Sequence, residues 1–148
     1  MEHPVSPGNL RVIDGDGVEY QAPGQPAQHF RLAGYDAPEC RNLRSDEDKW
    51  TEWVRGEQAK LRLETLIAGA RTVHLINWGT PAPPGRRYEA TLLINGWDVR
   101  TIALNEGWGV FSDPKKHHRT GVDWGDPKYP FPDHLPLPEH VQVELNRK

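Results

Sequence analysis

Arg31, Asp36 and Glu39 fall within nine residues, on the segment FRLAGYDAPE at residues 30–39. Upstream, VIDGDGV at residues 12–18 places Asp14 and Asp16 on a glycine turn; downstream, Arg86 and Arg87 follow Gly85. Carboxylates are hard oxygen ligands of the kind Ca²⁺ takes. Guanidinium forks match phosphate oxygens two at a time. The two together are the parts of a phosphoryl-transfer site. Each also has an ordinary alternative. Asp-Gly turns and Asp-x-Pro corners are common in loops that hold no metal, and the Asp14–Gly17 turn lacks the downstream ligands of an EF-hand loop. Arg31, between Phe30 and Leu32, could face solvent from a strand or pair with a carboxylate. Arg86 and Arg87 could be a solvated strand end. Ala37 precedes Pro38, which biases its backbone to extended values and gives its carbonyl a fixed direction.

The elements that must position these residues follow from pattern. Residues 1–8, with Pro4 and Pro7, read as an irregular leader. Residues 9–13 and 18–21 predict a hairpin across the glycine turn, and 29–34 a third strand after a Pro/Gly loop. Residues 40–55 are polar and read as a surface loop with at most a helical turn. Ala59, Leu63, Leu66 and Ile67 predict an amphipathic helix ending at Gly69. Residues 72–76 and 88–94 predict strands separated by the breaker cluster GTPAPPG. Asn95-Gly96 is a hairpin turn, and residues 100–106 a short helix stopped by Gly107. Five short strands, with one helix after the third and another after the fifth, predict an α+β, mainly β domain over residues 1–112. The expected form is a closed five-stranded Greek-key barrel of OB type with flanking helices. Six of the fourteen prolines lie at or beyond Pro114, a density that forbids long helices and central strands. Residues 113–148 are therefore expected to be an extended arm, anchored on the domain by Trp124, Tyr129 and Phe131 or else partly disordered. Residues 141–145 read as a short strand or helical turn.

The bulk composition narrows the class. At 148 residues, with 36% hydrophobic and 26% charged content, the chain suits one globular domain with a real core. No run approaches the ~20 apolar residues of a membrane span. The start MEHPVSPGNL is not basic-then-apolar, which predicts a cytoplasmic location, with secretion of a processed form as the alternative. Cys40 is the single cysteine, which excludes an internal disulfide and a cysteine zinc site; nothing nearby activates it as a thiolate, so it reads as a spectator. The net charge of −3 argues against binding nucleic acid with the whole surface, and less against an enzyme that needs only a local site. His117-His118, after Lys115-Lys116, reads as solvated basic surface. The tryptophans read as core and arm anchors, with Trp50, Trp53 or Trp78 as alternative base-stacking platforms.

Taken together, VIDGDGV, FRLAGYDAPE, the helix opening GEQA, GRRYEATLLINGWDV and ALNEGWGV resemble the staphylococcal (thermonuclease-type) nuclease family in order and spacing over residues 9–112. That family shows an Asp-Gly-Asp-Thr turn, an Arg-Leu-x-x-x-Asp-x-Pro-Glu segment, an arginine opening the next hairpin, and a short helix ending near Glu-Gly. The resemblance implies an OB-fold. It implies Asp16, Asp36 and the Ala37 carbonyl as Ca²⁺ ligands, Glu39 as the residue that orients or deprotonates the attacking water, and Arg31 and Arg87 as the phosphate-binding arginines. Arg87 matches the family's second arginine because it lies three residues before Ala90, and it shares a strand face with Glu89 and Thr91. Arg86, directly after Gly85, is the alternative. The chain departs from the family pattern at Gly17, where threonine is usual, and at Pro84, where tyrosine is usual. It also lacks a long C-terminal helix and is acidic.

The function implied is Ca²⁺-dependent hydrolysis of phosphodiester bonds in DNA, with RNA as a second substrate, by a monomer with no membrane partner. One rival is an inactive nuclease-like module that binds nucleic acid or protein without cutting. The other is an interaction module whose proline arm is the working part.

Overall fold

The computed structural model describes residues 2–40, 49–82, 87–113 and 121–147. Its architecture is α+β. Strands β2 (Leu10–Asp14), β3 (Gly17–Tyr20) and β4 (Gln28–Leu32) form an antiparallel meander, with Val12 opposite Val18 and Val18 opposite Phe30. Alternation sends Val18, Phe30 and Leu32 into the core, where all three are fully buried. Strand β7 (Arg87–Ile94) lies parallel to β4, and β6 (Val73–Ala82) lies antiparallel to β7. Asn95 and Gly96 both have positive φ, as a two-residue type I′ hairpin requires, and return the chain into β8 (Trp97–Asp98). A separate pair joins β5 (Tyr35–Asp36) to β9 (Val110–Phe111).

The expected closed barrel is not what the ladders draw. The expected leader instead forms a strand, β1 (Glu2–Pro4), antiparallel to β6. It takes the edge of β6 that a closing partner would need, so the sheet runs β1-β6-β7-β4-β3-β2 with two ends. Pro4 is tolerated there because an edge strand needs no donor on its outer side. The breaker cluster also behaves differently. Strand β6 continues to Ala82 through a register shift between Asn77 and Pro81, with Gly79 at φ 77° absorbing the bend.

Helix α1 (Trp50–Ala68) begins six residues before the expected opening at Gly56. The apolar stripe extends backwards through Trp53 and Gly56 to join Ala59, Leu63 and Ile67, all buried. Helix α2 (Val99–Glu106) is capped by Asp98, whose carboxylate accepts from Arg100 N at 2.9 Å, and is ended by Gly107 in the left-handed conformation. The two helices are tied by Glu106, which accepts from Arg62 Nε and Nη2 at 2.8 and 2.7 Å and from Trp108 Nε1 at 2.8 Å.

The arm packs on α1. Trp124 stacks edge-on against Tyr129 and Phe131, and its residues 139–146 form helix α3 (Glu139–Asn146), whose Val141 is fully buried. Among the described residues no helix is long and apolar enough to cross a membrane. The basic run at residues 115–118 lies outside the described residues.

The Arg62 fork, foremost, and then the Trp108 N–H hold the Glu106 carboxyl below its usual range. A carboxyl whose pKa is depressed on folding contributes stability above its unfolded value, and that contribution disappears as pH falls through the folded value. Glu106→Gln should therefore cost about 1–2 kcal/mol at pH 7, and the gap from wild type should close below about pH 4. Urea denaturation at several pH values measures this; a gap independent of pH would refute it.

Candidate active site

Gly17, Arg31 and Glu89 form one row across β3, β4 and β7. The glycine turn and the Asp-Ala-Pro-Glu corner close over this row. Leu32 N donates to the Asp16 carbonyl at 2.8 Å, the Tyr35 hydroxyl donates to the Gly15 carbonyl at 2.6 Å, and Ala37 N donates to Asp16 Oδ2 at 3.0 Å. The turn and the corner are thus bonded directly to each other through the Asp16 carboxylate. On the corner's far side, Glu39 N donates to Glu52 Oε2 of α1 at 3.4 Å. The Cys40 thiol donates to the Ile13 carbonyl at 3.3 Å. Burial, chiefly, pushes the Cys40 pKa up to about 12, which suits an inert thiol.

Three close approaches fix this geometry. A Cβ on Gly56 would lie 2.3 Å from the Glu39 carbonyl oxygen, so α1 presses directly on the corner backbone. A Cβ on Gly15 would lie 2.8 Å from Ala59 Cβ and 2.9 Å from Ala37 Cβ. A Cβ on Gly17 would lie 2.8 Å from Asp14 Oδ1. A side chain at position 17 would require the Asp14 carboxylate to shift.

Asp14 and Asp16 are both buried, at 6% and 5% exposure, and each carboxyl bears on the other's titration. Burial first, and then the Asp14 charge, holds the Asp16 carboxyl well above the usual range, with Arg31 opposing. Burial also raises Asp14; Glu39 adds to this and Arg87 opposes it. Arg31 and Arg87 therefore act on the turn from β4 and β7, and Glu39 from the corner. Asp14 Oδ1 is buried with no donor reaching it among the described residues.

The side chains do not share a single chamber. Asp36, Ala37 and Glu39 line one cavity of about 320 Å³, together with Glu52 and residues 121–124 of the arm. Asp14, Gly17 and Arg87 line another of about 270 Å³. Arg31 Nη2 donates to the Tyr35 carbonyl at 3.4 Å, within its own loop. Arg86 lies outside the described residues.

These donors suit a hard cation. Carboxylate and carbonyl oxygens are what Ca²⁺ takes, and a buried carboxylate pair with an unmet oxygen is relieved by positive charge. Among the described residues, no three His, Cys, Asp or Glu side chains are grouped to hold an ion between them.

Three acidic residues join the site to which the resemblance gave no role. Asp14 stood on the turn as a candidate hard-oxygen donor beside Asp16, with an ordinary Asp-Gly turn as the alternative. Glu52 stood in a stretch read as loop. Glu89 alternates with Arg87 and Thr91, which marks a polar face, yet it is 1% exposed in register with Arg31. Comparison with known protein families and with curated proteins gave no matching family model and no matching sequence.

Two outcomes follow. An aspartate whose pKa is raised on folding contributes most below its unfolded value of about 3.9 and loses that contribution as pH rises through the folded value. In chelator at pH 7, Asp16→Asn should therefore stabilise the protein by about 1–3 kcal/mol. Urea titration reads this, and destabilisation would show that the pair stores no repulsion. Gly56→Ala should cost about 1–3 kcal/mol by overpacking, seen as a lower thermal midpoint; an unchanged midpoint would refute the tight contact.

Proposed function

We propose that this protein is a Ca²⁺-dependent nuclease that hydrolyses phosphodiester bonds of DNA, and of RNA as a second substrate, on an OB-type scaffold. The observation that carries this reading is the bond between Ala37 N and Asp16 Oδ2. It joins the Asp-Gly-Asp turn to the Asp-Ala-Pro-Glu corner, which is the specific segment in the resemblance to the thermonuclease-type family. The strand order supports the scaffold: a β2-β3-β4 meander, then β7 parallel to β4 with β6 on its other side, suits a partly open Greek-key barrel.

In this reading Asp16, Asp36 and the Ala37 carbonyl hold the Ca²⁺, whose charge would neutralise the scissile phosphate and favour a bound water as nucleophile. Glu39 takes the proton of the attacking water. Arg31 and Arg87 hold the phosphate oxygens and stabilise the negative charge that builds on phosphorus's equatorial oxygens. For this, Arg31 exchanges its long bond to the Tyr35 carbonyl for phosphate oxygens. Asp14, behind Asp16, orients the turn. Water is the nucleophile, so no covalent enzyme intermediate forms.

A second reading, binding without cleavage, draws on the separation of Arg87 from Asp36 and Glu39 into different cavities. One assay separates the two. Labelled DNA incubated with protein in Ca²⁺ should be cut, and chelator should abolish the cutting. Glu39→Gln should slow it by about 10²–10⁴. Equal inertness of wild type and variant in Ca²⁺ would overturn the nuclease reading.

A further inference from the structure

The proline arm supplies a wall of the proposed active site. The cavity of about 320 Å³ has Asp36, Ala37, Glu39 and Glu52 on one side and residues 121–124 on the other. We infer that this arm segment is a specificity element that admits single-stranded nucleic acid and excludes duplex. The inference rests on the nuclease reading above.

The wall is held firmly. Arg55 of α1 donates to four backbone carbonyls of the arm: Trp124 and Asp126 at 3.0 Å, Pro127 at 3.3 Å and Tyr129 at 3.0 Å. Its guanidinium also lies over the Phe131 ring, 5.3 Å from the centroid. One guanidinium fork thus gathers six residues of irregular chain, Trp124 to Tyr129, in which Pro127 has no backbone donor. The Trp124 ring completes the arrangement, packed edge-on against Tyr129 and Phe131 at 5.2 and 5.8 Å. Further along, Gln58 Nε2 donates to the Leu135 carbonyl at 2.9 Å. Both tethers leave from α1, the helix that presses on Glu39, so the two sides of the cavity are set by one rigid element.

A site walled on two sides discriminates by backbone flexibility. Duplex DNA is stiff over about 150 base pairs and presents its phosphates on the outside of a wide rod. It cannot turn one phosphate into a cleft without bringing its second strand against the arm. A single strand rotates freely about its backbone bonds and can do so. Electrostatics acts in the same direction. Asp123 on the arm and Glu52 on α1 add carboxylates to the cavity rim beside Asp36 and Glu39. A duplex, with one charge per about 1.7 Å of axis, meets more of that repulsion than a single strand does. Trp124 lines the same cavity.

Arg55 is in this account a positioning residue, and its effect should appear in the strand preference. Wild type in Ca²⁺ should cut a single-stranded oligonucleotide at least about tenfold faster than the blunt duplex of the same sequence. Arg55→Met keeps the aliphatic stem and removes all four bonds. It should bring the ratio below about threefold by raising duplex cleavage, with the single-strand rate held. Arg55→Lys, which keeps the charge and fewer bonds, should fall between and serves if the methionine variant does not fold. Wild type that cuts both substrates equally, or variants in which both rates fall together, would overturn the inference. If nothing is cut, the nuclease reading fails by itself. Binding then still judges the wall: fluorescence anisotropy of the two labelled DNAs with wild type in Ca²⁺ should show tighter binding of the single strand, and equal affinity overturns it.

Discussion

One helix touches both halves of the candidate site at distances that leave no space for a side chain. Gly56 lets α1 rest on the Glu39 carbonyl, and Gly15 lets the Asp-Gly-Asp turn sit between Ala59 and Ala37. Three segments far apart in sequence are thereby locked at backbone contact. A methyl group at either glycine would push the corner off the helix or the turn off the corner. The direct bond from Ala37 N to Asp16 Oδ2 depends on that closeness.

The same helix extends the constraint outwards. Its inner stripe, Trp53, Gly56, Ala59, Leu63 and Ile67, is buried. Its flank carries Arg55 and Gln58 to the arm, Glu57 to His140 at 3.3 Å, and Arg62 to Glu106. An arm rich in proline has few backbone donors to offer, so its carbonyls need donors from elsewhere. Arg55 meets four of them. The arm's order is in this sense a property of α1.

Much of this was legible in the sequence, for definite reasons. The meander was readable because Val12, Val18, Phe30 and Leu32 alternate and a glycine turn separates the first two strands. Helix α2 was readable from its Gly107 stop. The start of α1 was not, because residues 50–55 carry two tryptophans, an acid and a base, and their value lies in the arm packed over them. Strand β1 was hidden because Pro4 and Pro7 speak against a strand; only the open edge of β6 makes three residues of pairing worthwhile. The barrel expectation failed at the same point, since a local pattern says nothing of which strand takes a distant edge. At the site, residue types and spacing picked out the carboxylates and arginines as candidates; the roles of Asp16, Arg31, Asp36, Ala37, Glu39 and Arg87 are what the family resemblance implies. The burial of Glu89 and the nearness of Asp14 to Asp16 were out of reach, because both are set by packing across strands.

Charge balance carries the synthesis one step further. Asp14, Asp16 and Glu89 are buried, while Asp36 and Glu39 are half-buried along a separate cavity. Burial, first of all, raises both carboxyls of the turn pair, and the Asp14 charge adds to this at Asp16. A phosphate brought in alone would add to the repulsion. Any ligand sequence that begins with the anion is therefore uphill, whereas one that begins with a divalent cation relieves the buried pair and reverses the local potential before the phosphate arrives. On the proposed reading, the ion comes first because the fold takes both turn carboxylates out of water.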